Sequence, residues 1–341
     1  MSSPTSSAPA APAADPESPP KRTRSPWVTL VGLTAGLGVI LVVLLGLFIL
    51  PSLKSGPTDL PIGLVGDAPA VAQVDGALAD AAPGAYETRE LATVAELRAA
   101  IEDRELVAGL VVEADGIDAY VASAGSTAIS GTVSATAQAL AAANGTTATV
   151  TDVVPLPDAD PTGIGIGGLA FPLVFGGIVP AVAFRKLAPN LGWAVAGIVT
   201  FSAVAGIIVS AVLMFVFGSI TTGFWPVAGS LALGTAALAL PLAGLQEVFG
   251  GKGFTIGAMV MMFLGNPLAG IATTAAWLPA GIGAIGQLLP PGAAGTLVRA
   301  AAYFDGAGGA GAALTLAVWV AAGAALLIIG GRRSRAASVP A

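Results

Sequence analysis

Apolar and polar positions fall into three regimes along the chain. Residues 27–50 form one uncharged apolar run, residues 53–162 alternate short apolar stretches with charged ones, and beyond residue 162 long apolar runs return, broken by glycine, proline and isolated charges. A helix crossing a bilayer needs roughly 20 consecutive apolar residues. The first run has 24 and ends at Pro51; at 1.5 Å per residue it reaches about 36 Å, enough to span with modest tilt. Charges and turn residues divide the last regime into five further predicted spans, at about 164–184, 191–217, 225–249, 254–276 and 309–329. The stretch 254–305 is too long for one of them, because no charge interrupts it before Arg299. Pro267 lies in its apolar half, and Pro279, Pro290 and Pro291 break the remainder, which predicts one span followed by a broken segment at 277–306. Irregular backbone at membrane depth persists only where protein buries it or water reaches it, so this segment is expected to dip into, or lie along, one face of a helical bundle.

The middle regime reads as a folded α/β domain over 51–162. LPIGLV from Leu60, YETRELA from Tyr86, VAGLVV from Val107, DAYVAS from Asp118 and TATVTDVVPL from Thr147 have strand character. Between them, APAVAQVDGALADAA from Ala68, TVAELRAAIEDREL from Thr93 and residues 127–143 have helical spacing. Thr93 and Glu96 form a capping box, and Asp115-Gly116 is a hairpin turn signal. About 100 residues are enough for a separate core.

Composition agrees with a membrane class: 55% of residues are hydrophobic and 10% charged. Neither cysteine nor histidine occurs, which removes disulfides, thiolate chemistry, imidazole metal sites and every Ser-His or Cys-His nucleophile pair. The Ser/Ala/Pro-rich tail 1–26 is expected to be disordered. Lys21, Arg22 and Arg24 precede the first span, which is too long for a signal-peptide core and lacks a small-x-small cleavage pattern after it. Counting alternately from a cytoplasmic N-terminus puts Arg185, Lys186, Lys252 and the C-terminal tail 332–341 inside. Nine basic and three acidic residues then lie inside, against five basic and seventeen acidic outside, as the positive-inside rule requires. The expected fold is a polytopic α-helical membrane protein of six transmembrane helices, with an extracytoplasmic α/β domain between helices 1 and 2 and a five-helix bundle over 163–331. It would sit in the plasma membrane with both termini cytoplasmic.

Motifs for chemistry are sparse. Gly163-Gly165-Gly168 and Gly281-Gly283-Gly286 satisfy GxGxxG, but neither lies between a soluble strand and helix with an acid about 20 residues on. Lys252 is followed by Gly253 instead of Ser or Thr, so no Walker A loop is present. No catalytic, cofactor-binding or metal-ligating residue is assigned, and no cofactor or nucleic-acid partner. Ion coupling predicts buried charges along the spans; only Glu247 and the polar Asn266 come close. Glu247 is expected to be solvated or to pair with Lys252, and Asn266 to bridge backbone groups freed by Pro267. Tryptophans 27, 193, 225 and 277 fall near span ends and read as interfacial anchors.

Six spans, a large α/β domain after the first, and a Pro/Gly-broken segment between the last two together resemble permeases of type-2 ATP-binding-cassette exporters, closest to the bacterial permeases related to the phage-infection protein. The likeness is carried by LRAAIEDRELVAGLVV and DAYVASAGSTAIS in the α/β domain, GNPLAGIATTAAWLPAGIGAIGQLLPPGAAGTLVRAAAYFDG at the fifth span, and the terminal span before RRSR. It implies a homodimer or heterodimer of permeases, a separate ATPase subunit, export of an amphipathic or hydrophobic substrate, and ATPase contact through the first cytoplasmic loop, at Arg185 and Lys186. The chain departs from that pattern where Pro19, Pro20 and Pro26 disfavour an amphipathic helix before the first span, and where the loop from Arg185 to Asn190 is short. Pro290, Pro291 and Gln287 are the candidate outer gate, with Arg299 and Asp305 as interfacial anchors at its end. The alternative is a non-transporting membrane protein whose extracytoplasmic domain binds envelope components or proteins.

Overall fold

The computed structural model describes residues 26–279 and 281–337. The predicted disordered tail up to residue 25 and the end of the chain after 337 lie outside the described residues. The chain is a helical membrane protein carrying a small sheet, with five helices long and apolar enough to cross a bilayer. Helix α1 (Pro26–Leu53) runs three residues past the predicted span end, through Pro51. Contacts divide the chain within it, at Leu44. The first unit is its N-terminal part, apolar and exposed all round, the surface of a helix meant for lipid.

In the second unit, five strands make one sheet in the order β2-β1-β3-β4-β5: β1 (Leu60–Gly66), β2 (Tyr86–Glu90), β3 (Ala108–Val112), β4 (Gly116–Val121) and β5 (Thr147–Asp152). β1 pairs parallel with β2 and β3, β3 and β4 form an antiparallel hairpin at the predicted Asp115-Gly116 turn, and β5 lies parallel to β4. Helices α2 (Ala68–Ala81) and α4 (Thr127–Ala143) cover one face. Their Val71, Leu78, Ile129 and Val133 pack on Leu60, Ile62, Leu64 and Leu110. Helix α3 (Val94–Glu102) covers the other face, where Leu97 and Ile101 meet Val65 and Val111, the period-2 alternation of a sheet buried on both sides. Leu97 lies directly over Gly63 and Gly109, and a methyl group at either would collide with it. The capping box forms: Thr93 Oγ1 accepts from the Glu96 amide, and the Glu96 carboxylate accepts from the Ala92 amide.

α3 is shorter than the predicted helix through Leu106. It stops at Glu102, and the chain reverses at Arg104 in the left-handed region with φ 59°, which turns Leu106 into the core.

The bundle opens with the short helix α5 (Ile164–Gly167) and is built on α8 (Phe224–Met259), which packs against α6 (Ala170–Leu187), α7 (Leu191–Ala211), α10 (Pro290–Tyr303) and α11 (Ala310–Ala337). Small residues allow close approach: Gly177 meets Leu238, Gly206 meets the Ala228 carbonyl, and Gly323 meets the backbone of Leu240 and Pro241. The two spans predicted at 225–249 and 254–276 form one helical run, Phe224–Gly265. It is not straight: Gly250 has φ 68° and ψ −159°, and Gly257 comes back against Leu242 and Leu245, so the run folds into a hairpin. Its second arm is shorter than predicted. After a wide π turn at Val260–Gly265 the helix ends, because Pro267 has no N–H to continue it. The broken segment therefore starts near residue 266 instead of 277. It holds a short 3₁₀ turn at Ala275–Trp277, α9 (Ile282–Gln287) and α10. The last helix runs past the predicted span end at 329, since α11 stays helical to Ala337.

Candidate functional site

Helix α10 begins at the two prolines proposed as a gate. Pro290 and Pro291 occupy its first turn, where a missing N–H costs no hydrogen bond, and the Pro291 ring packs on Gly265. Both are buried, as are Ala293, Ala294, Gly295 and Val298, so α10 lies within the bundle core and not along its surface. The third gate residue, Gln287, ties the segment together. Its amide nitrogen donates to the Ala269 carbonyl at 3.2 Å, and its oxygen accepts from Thr296 at 2.7 Å.

Arg299 departs from the expected interfacial anchor. It is 8% exposed, and its guanidinium donates to backbone carbonyls of two different parts of the fold. Nη1 donates to Ala124 at 3.1 Å and Gly125 at 2.8 Å, in the loop entering α4, and Nη2 donates to Ile271 at 2.6 Å, in the irregular segment before α9. Three carbonyls are satisfied by one planar fork. Asp305, the other predicted anchor, is exposed. The neighbouring aromatics continue the junction: Phe304 joins the core beneath α3, and Tyr303 Oη donates to the Ser219 carbonyl at 2.7 Å. Trp277 also belongs here, since it packs against the sheet core and its carbonyl accepts from the Gly56 amide at 3.2 Å.

Between the sheet domain and the broken segment lies a cavity of about 320 Å³. Arg104 and Arg299 line it together with Gln287, Thr296 and Thr274, over apolar walls that include Ile129 and Phe304. Arg104 stacks on the Phe304 ring at 5.1 Å, with its stem under the turn at Gly308. Its Nη1 is buried without a hydrogen-bond partner, and burial lowers its pKa below the ordinary arginine value. No acidic residue lines the cavity.

The other end of the bundle carries the predicted ATPase contacts. Arg185 is paired with Glu247, so the expected solvated or Lys252-paired state of Glu247 is corrected. The pair forms because the hairpin at Gly250 brings the end of the first arm beside the C-terminus of α6, and Gly330 of α11 packs on the Glu247 stem. Lys186 is exposed. Among the described residues, no group of three or more Asp, Glu, His or Cys could hold a metal ion. Sequence reasoning placed Arg299 at the segment's end but missed its burial; the available signal was a lone charge closing a long uncharged run. Arg104 gave no signal, because it sits in the charged series EDRE and looks like solvated surface. No protein-family model, curated protein or solved structure matches the chain.

Proposed function

We propose that the chain is the permease subunit of an exporter in the plasma membrane, moving an amphipathic or hydrophobic substrate and driven by a separate ATPase. The observation that carries this reading is the placement of α10. A proline-initiated helix buried in the bundle is fastened by Arg299 to the sheet domain, so displacement of the bundle is transmitted to the domain and back. The spans offer few groups for ion coupling, since Glu247 is already neutralised by Arg185, and the energy therefore comes from a partner.

In this reading the chain crosses six times. Phe224–Gly265, at 42 residues and about 63 Å of helix, is twice a bilayer's thickness, and its fold-back at Gly250 makes it two crossings. Arg185, Lys252 and Arg332 gather near the Glu247 end of the bundle, while the sheet domain joins the bundle at α5, just before α6, where the Asp160 carboxylate accepts from the Ile164 and Gly165 amides. Positive-inside makes the basic end cytoplasmic and the sheet domain extracytoplasmic. Lys186, exposed beside the Arg185–Glu247 pair, remains available to an ATPase, and Pro290, Pro291 and Gln287 form the hinge of the outer gate. Dimerisation with a like chain completes the pathway.

The test is affinity purification of the detergent-solubilised chain from its native cell. Recovery of a nucleotide-binding subunit, lost on Lys186→Glu, is expected. Repeated recovery without one overturns the reading and favours a non-transporting membrane protein whose sheet domain binds envelope components.

A further inference from the structure

The cavity between the sheet domain and the broken segment has the chemistry of a receptor for a phosphorylated ligand. It holds two guanidiniums and no carboxylate. Acids close in sequence are engaged or turned away: Glu105 pairs with Arg89, and Asp103 is exposed. Like charges lining one space repel, and Arg104 acts on Arg299 as a like charge. No side-chain acceptor engages the Arg104 guanidinium, and its Nη1 is buried without a hydrogen-bond partner. A guanidinium has five N–H donors and Arg299 uses three on carbonyls, which leaves it able to give more.

The backbone adds an independent observation. Arg104 occupies the left-handed position that ends α3, at φ 59°, where glycine is the favoured residue. A long cationic side chain is held there against local preference, and the turn at Gly308 packs on its stem. Thr296 and Gln287 supply polar edges, and Phe304 and Ile129 supply apolar ones. At about 320 Å³ the space exceeds a phosphate group and falls short of a whole lipid.

We propose that this cavity binds the phosphoryl group of an anionic amphiphile, with the phosphate oxygens between Arg104 and Arg299 and the first carbons of the ligand on Phe304 and Ile129. Planar forks suit phosphate oxygens bidentately, and removal from bulk water strengthens the attraction. Arg104 is the discriminating contact, because Arg299 is also structural. The assignment concerns the same junction as the proposed gate but rests on binding alone. Loss of an ATPase partner would leave it standing, and absence of binding would leave the permease reading standing.

The experiment is calorimetric titration of the purified full chain in a non-ionic detergent. The probes are dihexanoyl phosphatidic acid, inorganic phosphate, and dihexanoylglycerol as the phosphate-free control. Saturable binding of the phosphatidic acid is expected, with none for dihexanoylglycerol. Competition by inorganic phosphate at similar concentration identifies a site for free phosphate groups, whereas binding of the lipid alone identifies a headgroup site that also needs the first acyl carbons. Arg104→Gly is expected to weaken binding at least tenfold while unfolding no earlier than wild type, since glycine suits φ 59°. Arg104→Lys should recover part of the affinity, and Arg104→Gln should reproduce the loss if the glycine variant does not fold. Absence of saturable binding by both phosphorylated probes overturns the proposal, as does unchanged affinity in the Arg104 variants.

Discussion

Replacing Arg299 with methionine keeps most of the side-chain volume and removes the fork that joins the two parts of the second unit. Three carbonyls, of Ala124, Gly125 and Ile271, lose their donor. A hydrogen bond from a charged donor contributes about 1.5 kcal/mol at the low end, which gives about 4.5 kcal/mol for three. Relief of the buried charge, and of its repulsion by Arg104, opposes that loss, so a net cost of about 3 kcal/mol is expected. At about 1.4 kcal/mol per factor of ten, local opening of the junction should become about 100-fold more frequent. Hydrogen exchange on the purified protein reads this directly. The amides of Ala124 and Gly125, bonded to Val154 and Ala122, and of Trp277, bonded to Thr274, should exchange faster. The amides of β1 and β3, in the middle of the sheet, should keep their protection. Unaltered protection at Ala124 and Gly125 would refute the claim that Arg299 fastens the domain, and uniform loss across the sheet would show a global effect instead.

Other substitutions probe the remaining joints. Gly286→Ala drives a methyl group into the Leu268 carbonyl, so the broken segment must shift; a drop of more than 2 kcal/mol in unfolding stability is expected, and a neutral result would show that the segment yields freely. Glu247→Gln leaves the half-buried Arg185 without its counter-charge and should lower the thermal midpoint clearly more than Lys252→Gln, with equal shifts contradicting the assigned pair. Thr93→Ala removes the oxygen that caps α3 and should cost about 1 kcal/mol in denaturant unfolding. Pro290→Ala combined with Pro291→Ala should leave the protein folded, since neither position needs an N–H, while loosening the contact with Gly265 as read by protease sensitivity near residue 265.

The sheet domain was legible in the sequence because its signals are local. Short apolar runs bounded by turn residues mark β1 and β3, Thr93 and Glu96 announce a helix start, and Asp115-Gly116 sets the hairpin. Span existence was legible for the same reason, as uncharged length. The break in Phe224–Gly265 was readable because Gly250, Gly251 and Lys252 interrupt the pattern. What failed depends on contacts distant in sequence. The helix ends at Gly265 and not at 276 because a π turn and Pro267 act together, and a hydropathy window averages over both. The partner of Glu247 is chosen by a fold-back that brings α6 alongside, and Lys252, near in sequence, loses to Arg185, near in space. Burial of Arg299 required three carbonyls from two loops, and carbonyls leave no trace in side-chain patterning.

The close contact of α8 with α11 limits how the bundle can move. Where Gly323 rests on the backbone of Leu240 and Pro241, and Gly244 on Leu326 and the Gly323 carbonyl, the two helices touch largely main chain to main chain. Such a contact has few rotamers to exchange, so it cannot slide through intermediate packings as a leucine seam can. The arm of α8 before Gly250 and α11 therefore travel as one rigid post. Conformational freedom in the bundle is displaced to its margins, toward the segment between Gly265 and Pro290 that hangs beside that post.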